Sequence, residues 1–323
     1  MNHLTLSRRE LLVGSSTMIA FSGLSDSPFR NQGHAAARTA DKRKGIPLTF
    51  STYGLPKHPL NEAIEVIGDC GYDGLEICVA PTARAAASKL SPDQRREARL
   101  RMKDRDLLLG SLMSHLRPLG TAEQHAADLE RLKQDCILAH DLAPDSPPII
   151  QTVLGGSNWE QSRQLCVERI ADWVEIANRY EVTLAVKPHR GHALSRPSEA
   201  AWLIEQLNRP PRIRMWYDYS HFIFREMPMR QTITESLPIM AGVAVKDAVR
   251  KNGKIQFLLP GAAGTINYQQ LFRILSEEQF TGPLCVEVSS HVWKAEDYDA
   301  DTALRDSYRV LSAAMGRSTQ SDS

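Results

Sequence analysis

The chain has 323 residues, 42% of them hydrophobic and 24% charged, with 39 basic and 38 acidic side chains and a formal net charge of +1. That apolar mass is enough for a large core, and the charge balance excludes a protein built around a polyanion. Five cysteines without a CxxC pair point to buried free thiols rather than a disulfide framework.

The N-terminus reads separately from the rest. "LTLSRRELLVGSSTMIAFSGL" places Arg8 and Arg9 before two leucines and a weakly apolar stretch, and "HAAA" at 34–37 offers small residues for cleavage. This resembles a twin-arginine signal over residues 1–37, followed by a linker over 38–45. The expectation is export by the Tat translocase to the periplasm, or otherwise out of the cytoplasm. After cleavage no membrane contact is expected, because the apolar stretches of the body are strand-sized.

From residue 46 short apolar runs alternate with amphipathic ones. "PLTFSTYGL" (47–55) predicts a strand and loop, 59–71 a helix ending at Gly71, and 72–79 the next strand. Ser91-Pro92 opens a charged helix over 91–106, and a strand follows over 107–116. A long helix over 121–142 precedes a strand and loop over 147–156. The segment 160–181 carries a 3.6-residue stripe of Leu165, Ile170, Trp173, Val174 and Ala177, the mark of a core-facing helix. Then come a strand at 182–187, a helix at 197–208, a strand and exit loop at 212–222, a helix near 229–239 and a strand at 241–248. The last elements are a helix at 268–280, a strand at 282–290 and a helix at 299–314. Eight strand-then-helix units without a composition break predict an α/β fold, a closed (β/α)8 TIM barrel over 46–315, with a disordered tail at 316–323. No Gly-rich phosphate fingerprint follows any strand, which argues against a dinucleotide or P-loop enzyme.

In such a barrel the C-terminal strand ends share one site. Those ends carry Glu76, His115, Lys187, His189, Asp218, His221, Lys246, Asp247 and Glu287, with Trp293 just beyond the last strand. Cationic Lys187 at a buried strand end needs acidic partners, and Asp218 and Glu287 can supply them.

"GYDGLEI", "WYDYSHF", "VAVKDA", "LPGAAGTINYQQLF" and "LCVEVS" together resemble the xylose isomerase-like TIM barrels, the sugar phosphate isomerase/epimerase superfamily. The resemblance implies a divalent cation held by a strand-five Glu, a strand-six Asp, a strand-seven His and a strand-eight Glu. Asp218 and Glu287 match, but Lys187 stands at the strand-five position and Ala244 at the strand-seven position. A hard cation such as Mn, Mg or Zn needs oxygen or imidazole donors, and an ammonium at that place repels it. We therefore expect no cofactor, with Lys187 in place of the metal. A residual cage of Asp218, Glu287 and His189 is the alternative.

The expected catalytic residues are Lys187, Glu287, His189 and Asp218, and the expected substrate contacts are Glu76, His115, His221, Lys246, Asp247 and Trp293. Lys246-Asp247 resembles the family's K-D pair, either a substrate ligand or a rim salt bridge. The resemblance implies an isomerase, an epimerase or a β-eliminating lyase acting on a carbohydrate by proton abstraction next to a carbonyl. The rival expectation is a catalytically silent carbohydrate-binding barrel. A DNA-repair endonuclease of the same superfamily would need a multi-metal cluster and a basic face, and this sequence supplies neither. No nucleic-acid partner is expected.

Overall fold

The computed structural model describes residues 45–317; the twin-arginine segment and residues 38–44 of the linker lie outside the described residues. Eight parallel strands close into a barrel: β1 (Leu48–Ser51), β2 (Gly74–Cys78), β3 (Leu108–Met113), β4 (Ile149–Thr152), β5 (Leu184–Val186), β6 (Ile213–Asp218), β7 (Met240–Val245) and, last in the chain, β10 (Leu284–Val286). Neighbours follow chain order around the ring, and β1 closes it against both β2 and β10. This is the expected (β/α)8 barrel.

The outer ring is α1 (Leu60–Asp69), α2 (Pro92–Asp104), α3 (Ala122–Leu142), α4 (Trp159–Arg179), α5 (Pro197–Gln206), α6 (Met229–Ser236), α7 (Tyr268–Glu277) and α9 (Ala300–Ala314), with a one-turn α8 (Ser290–Trp293) before the last. Local sequence sets where the helices begin. Ser91 and Thr121 form capping boxes with Gln94 and Gln124, and Asn158 and Asn267 cap α4 and α7. Each such cap is worth about 1 kcal/mol. The α4 stripe packs inward as its period requires, and Trp173 is fully buried. All five cysteines are free thiols, four of them buried. At the C-terminal end, Arg317 donates to the Ile46 carbonyl at 2.9 Å and pairs with Asp73 at 2.7 Å, so this residue of the expected tail is tied to the start of the barrel.

One element is absent from the sequence reading. Between β7 and α7 the chain makes an antiparallel hairpin, β8 (Asp247–Lys251) and β9 (Lys254–Leu258). Its turn is Asn252-Gly253, both at positive φ (50° and 72°), the geometry of a two-residue hairpin turn.

Strand alternation sorts the barrel interior into layers. Ala185, Trp216, Ala244 and Cys285 pack together inside β5, β6, β7 and β10. The indole of Trp216 fills this layer, and small neighbours make room for it. A Cβ on Gly242, the strand partner of Trp216, would lie 2.1 Å from the ring. Two residues further along each of these strands, on the same face, stand Lys187, Asp218, Lys246 and Glu287. The Trp216 layer is the floor on which those four charges rest. Among the described residues no helix is long and apolar enough to cross a membrane.

Candidate active site

The four charges form one closed network. The Lys187 ammonium donates to Glu287 Oε2 and lies 3.0 Å from Asp218 Oδ2. The Lys246 ammonium donates to the same Asp218 oxygen and to Glu287 Oε1 at 2.9 Å. Asp218 Oδ1 accepts from the Ser220 N–H at 3.1 Å and its hydroxyl at 2.6 Å. Lys187, Asp218 and Lys246 are buried, while the Glu287 side chain keeps 13% of its surface open. Two cations against two anions make the cluster neutral, which is what allows so many charges at this depth.

The network sets each proton. Burial opposes the charged form of Lys187, but the Glu287 and Asp218 carboxylates outweigh it and hold the ammonium well above the ordinary lysine range. Burial likewise raises both carboxyls, and the two ammoniums overcome it. Asp218 lies well below the carboxylate range and Glu287 is lowered to about 2.

Beside the network stands a wall of rings. His189 lies between His192 (centroids 4.2 Å apart) and His221 (4.1 Å), and His221 meets Phe257 edge-on at 4.9 Å. His221 Nε2 is 3.4 Å from Asp218 Oδ2. Burial, the neighbouring imidazoles and the two ammoniums press His189 far below its ordinary value. Burial also lowers His221 to about 4, although Asp218 pulls it upward. Both rings are therefore neutral near pH 7. The His189 Nδ1 accepts the Gly191 N–H at 3.2 Å, so its proton belongs on Nε2. The hairpin contributes Phe257, whose face lies 5.2 Å from the Lys246 ammonium and whose ring stacks on His291 at 5.6 Å. Phe257 escaped the sequence reading, although Asn252-Gly253 was a legible hairpin signal.

The remaining expected residues separate. Glu76 is buried on the barrel axis, accepting from Ser111 Oγ at 2.7 Å and from Gln151 at 3.1 Å. Burial raises its pKa, partly offset by these bonds and by Ser51, while Glu287 adds to the rise. His115 follows β3 at positive φ (61°), its ring 5.9 Å from Tyr53; Tyr53 in turn packs edge-on to Trp293 at 5.4 Å. Lys246 and Asp247 do not pair with each other in the network. Lys246 turns inward, whereas Asp247 is saturated by the Ala263 and Gly264 N–H groups (3.0 Å each) and the Tyr268 hydroxyl (2.8 Å). Asp247 pins the loop before α7, and its carboxylate is already fully used there.

The donor set does not fit a divalent cation. The carboxylate oxygens that would face it each receive an ammonium, and a cation among Lys187 and Lys246 would meet two like charges. Among the described residues no group of three or more His, Cys, Asp or Glu side chains could hold a metal.

A protein-family model described as the xylose isomerase-like TIM barrel matches residues 64–314. Among solved structures, 3-keto-D-glucoside 4-epimerase from E. coli aligns with TM-score 0.66 and 16% identity over 83% of this chain and 99% of that one. A D-psicose 3-epimerase aligns with TM-score 0.69 and 14% identity over 84% and 100%. A xylose isomerase-like barrel protein from Mycobacterium smegmatis, in complex with magnesium, aligns with TM-score 0.63 and 18% identity over 84% and 98%. At these identities the likeness shows the fold, and the magnesium complex shows that the fold can carry a metal. A search of curated proteins finds no match to this chain.

Proposed function

The chain belongs to the xylose isomerase-like TIM barrel family, and on that footing we propose that it is a sugar isomerase or epimerase-like enzyme in which Lys187, with Lys246, takes the place of the metal. The observation that carries this reading is the pair of ammoniums seated between Asp218 and Glu287 at the ends of β5, β6, β7 and β10. The neighbours' printed activities, epimerisation of a keto-glucoside and of psicose, support a carbohydrate substrate.

The chemistry proposed is removal of a proton from the carbon next to a sugar carbonyl. On exchanging a carboxylate contact for the substrate oxygen, the ammoniums stabilise the oxyanion that develops on it. The His189 Nε2–H is a neutral donor for the same oxygen or its neighbour. Glu287, the one member of the network that keeps 13% of its side chain exposed, accepts the carbon's proton. In the free protein it is a weak base because both its oxygens hold ammoniums. A substrate oxygen that draws hydrogen bonds from Lys187 and Lys246 loosens that hold and raises the basicity of Glu287. Return of the proton from Glu287 to the neighbouring carbon gives isomerisation, whereas epimerisation requires a second donor, water or an acid on the opposite face, to supply a proton there while Glu287 keeps the one it took. Expulsion of a group from the β-carbon gives elimination. Asp218 keeps the ammoniums in place. With the S-R-R-x-L-L segment ahead of the barrel, the proposed place of action is the periplasm or beyond.

The second reading, a silent carbohydrate-binding barrel, is favoured by one feature: Glu287 already spends both oxygens on lysines. Incubating keto sugars with the protein in deuterium oxide separates the two. Wild type is expected to exchange the C–H next to the carbonyl, with a loss of at least about 100-fold in Glu287→Gln and Lys187→Met. Sugar binding without any exchange by the wild type would overturn the enzymatic reading.

A further inference from the structure

A cavity of about 510 Å³ lies over the ends of β2, β3 and β4. Its wall includes His115, Arg117, Asp128, Arg131, Gly155 and Gly156. Nothing in the proton-transfer chemistry uses it. Its charges do not cancel. Arg131 pairs with Asp128 at 2.9 Å, and the second Asp128 oxygen accepts the Arg117 N–H at 2.8 Å. That leaves the Arg117 guanidinium, which is exposed and has no hydrogen-bond or ion-pair partner among the described residues. The N–H groups of Gly155 and Gly156 on its wall also have no acceptor among the described residues. A cavity rich in donors with one uncompensated cation is chemically suited to an anion.

His115 joins this cavity to the network. It lines the cavity wall, and burial lowers its pKa, with Glu287, Arg117, Lys187 and Arg131 all close enough to act on it. His192 likewise lies within reach of both Arg117 and Lys187. The cavity wall also adjoins the rings beside the network: Gly155 accepts the Ala193 N–H at 3.0 Å, and the preceding His192 stacks on His189 at 4.2 Å, so a ligand held at Arg117 can extend toward Lys187.

We propose that this cavity is a second substrate subsite, in which Arg117 binds a carboxylate or phosphate on the far ring of a disaccharide whose carbonyl end lies at Lys187 and Lys246. This deepens the reading of the network as the reaction centre and rests on it. Sugar phosphates and uronic acids share the required anionic group, and neutral sugars lack it.

Calorimetric titration tests the assignment with matched reducing ligands: cellobiouronic acid against cellobiose for the carboxylate, and cellobiose 6′-phosphate against cellobiose for the phosphate. At low salt we expect at least one anionic member to bind about tenfold more tightly than its neutral partner, the advantage shrinking as salt is raised. The pair that shows the advantage identifies the anion. In Arg117→Met the advantage should fall below twofold, with the affinity for the neutral partner retained. Equal binding within both pairs by the wild type, or an advantage that survives Arg117→Met, overturns the subsite. Lys187→Met keeps the two readings apart. If it leaves neutral-sugar binding and exchange unchanged, the reaction-centre reading fails whatever Arg117 does.

Discussion

Replacing Lys187 by Met removes one of two cations from a buried group of four charges while keeping most of the side-chain volume. Asp218 and Glu287 are then left to share the single ammonium of Lys246. Removing one partner from a buried ion pair costs about 3–5 kcal/mol, because the other charge stays behind uncompensated. For a domain of this size that corresponds to a fall in melting temperature of roughly 10 °C. The pH dependence is the sharper signature. In the wild type Glu287 is lowered from 4.5 to about 2, so its contribution is full above pH 4.5 and is lost as pH falls toward 2. That shift corresponds to about 3 kcal/mol. In Lys187→Met one carboxyl sits buried without its counter-charge, and its folded pKa rises above the unfolded value. The charged centre of the variant therefore loses stability as pH rises past 4.5, opposite to the Glu287 contribution in the wild type, while the effect of the buried Asp135 carboxyl, raised to about 7, is common to both and cancels in the difference. Thermal melts at pH 4 and pH 7 measure this: the deficit of the variant should be small at pH 4 and largest at pH 7. A deficit below about 2 °C, or one equal at the two pH values, would refute the buried four-charge centre.

Three further outcomes follow from the same structure. Burial raises Asp135 to about 7 despite the Ser114 hydroxyl at 2.5 Å, so the wild type should lose roughly 2–4 kcal/mol between pH 4 and pH 7, where the unfolded chain releases this proton and the folded one keeps it. Denaturant titrations of Asp135→Asn should show that part of the slope gone; an unchanged slope would mean the acid is ionised in the fold. Gly242→Ala should cost about 3 kcal/mol in urea unfolding by driving a methyl into Trp216, and Trp216→Leu in the same chain should recover part of it. Dialysis against EDTA should leave both the melting temperature and the deuterium exchange unchanged, and a loss restored by Mn or Mg would return the centre to a metal.

The barrel was legible because its signals are local and repeated. Capping residues such as Ser91 and Thr121, the Trp173 stripe and short apolar runs each specify an element without help from distant parts of the chain. The convergence of Lys187, Asp218 and Glu287 was legible too, because strand parity and strand ends define one interior face. What escaped depends on contacts between distant segments. The hairpin strands Asp247–Lys251 and Lys254–Leu258 are half polar; the first has no alternation and the second alternates over only four residues, so Asn252-Gly253 is their main signal. Nothing local says that Phe257 folds back over Lys246, or that Asp247 is saturated by Ala263, Gly264 and Tyr268 rather than paired with its neighbour. The unpaired Arg117 looks like any surface arginine until the glycines after β4 are set beside it.

The departure from a metal cage reaches deeper than one substituted ligand. The strand-seven position that would carry a histidine is Ala244, and its small side chain packs in the layer that Trp216 fills. Gly242 on the same strand is small for the same ring. A bulky imidazole at 244 would compete for that space, so the floor that supports the four charges also works against a metal ligand of that kind. Lys246, two residues beyond Ala244 on the same face, donates to both Asp218 and Glu287. The ammonium pair and the aromatic floor are thus one packing solution. A change at Lys187 alone removes charge from this centre without clearing the Trp216 layer or displacing Lys246.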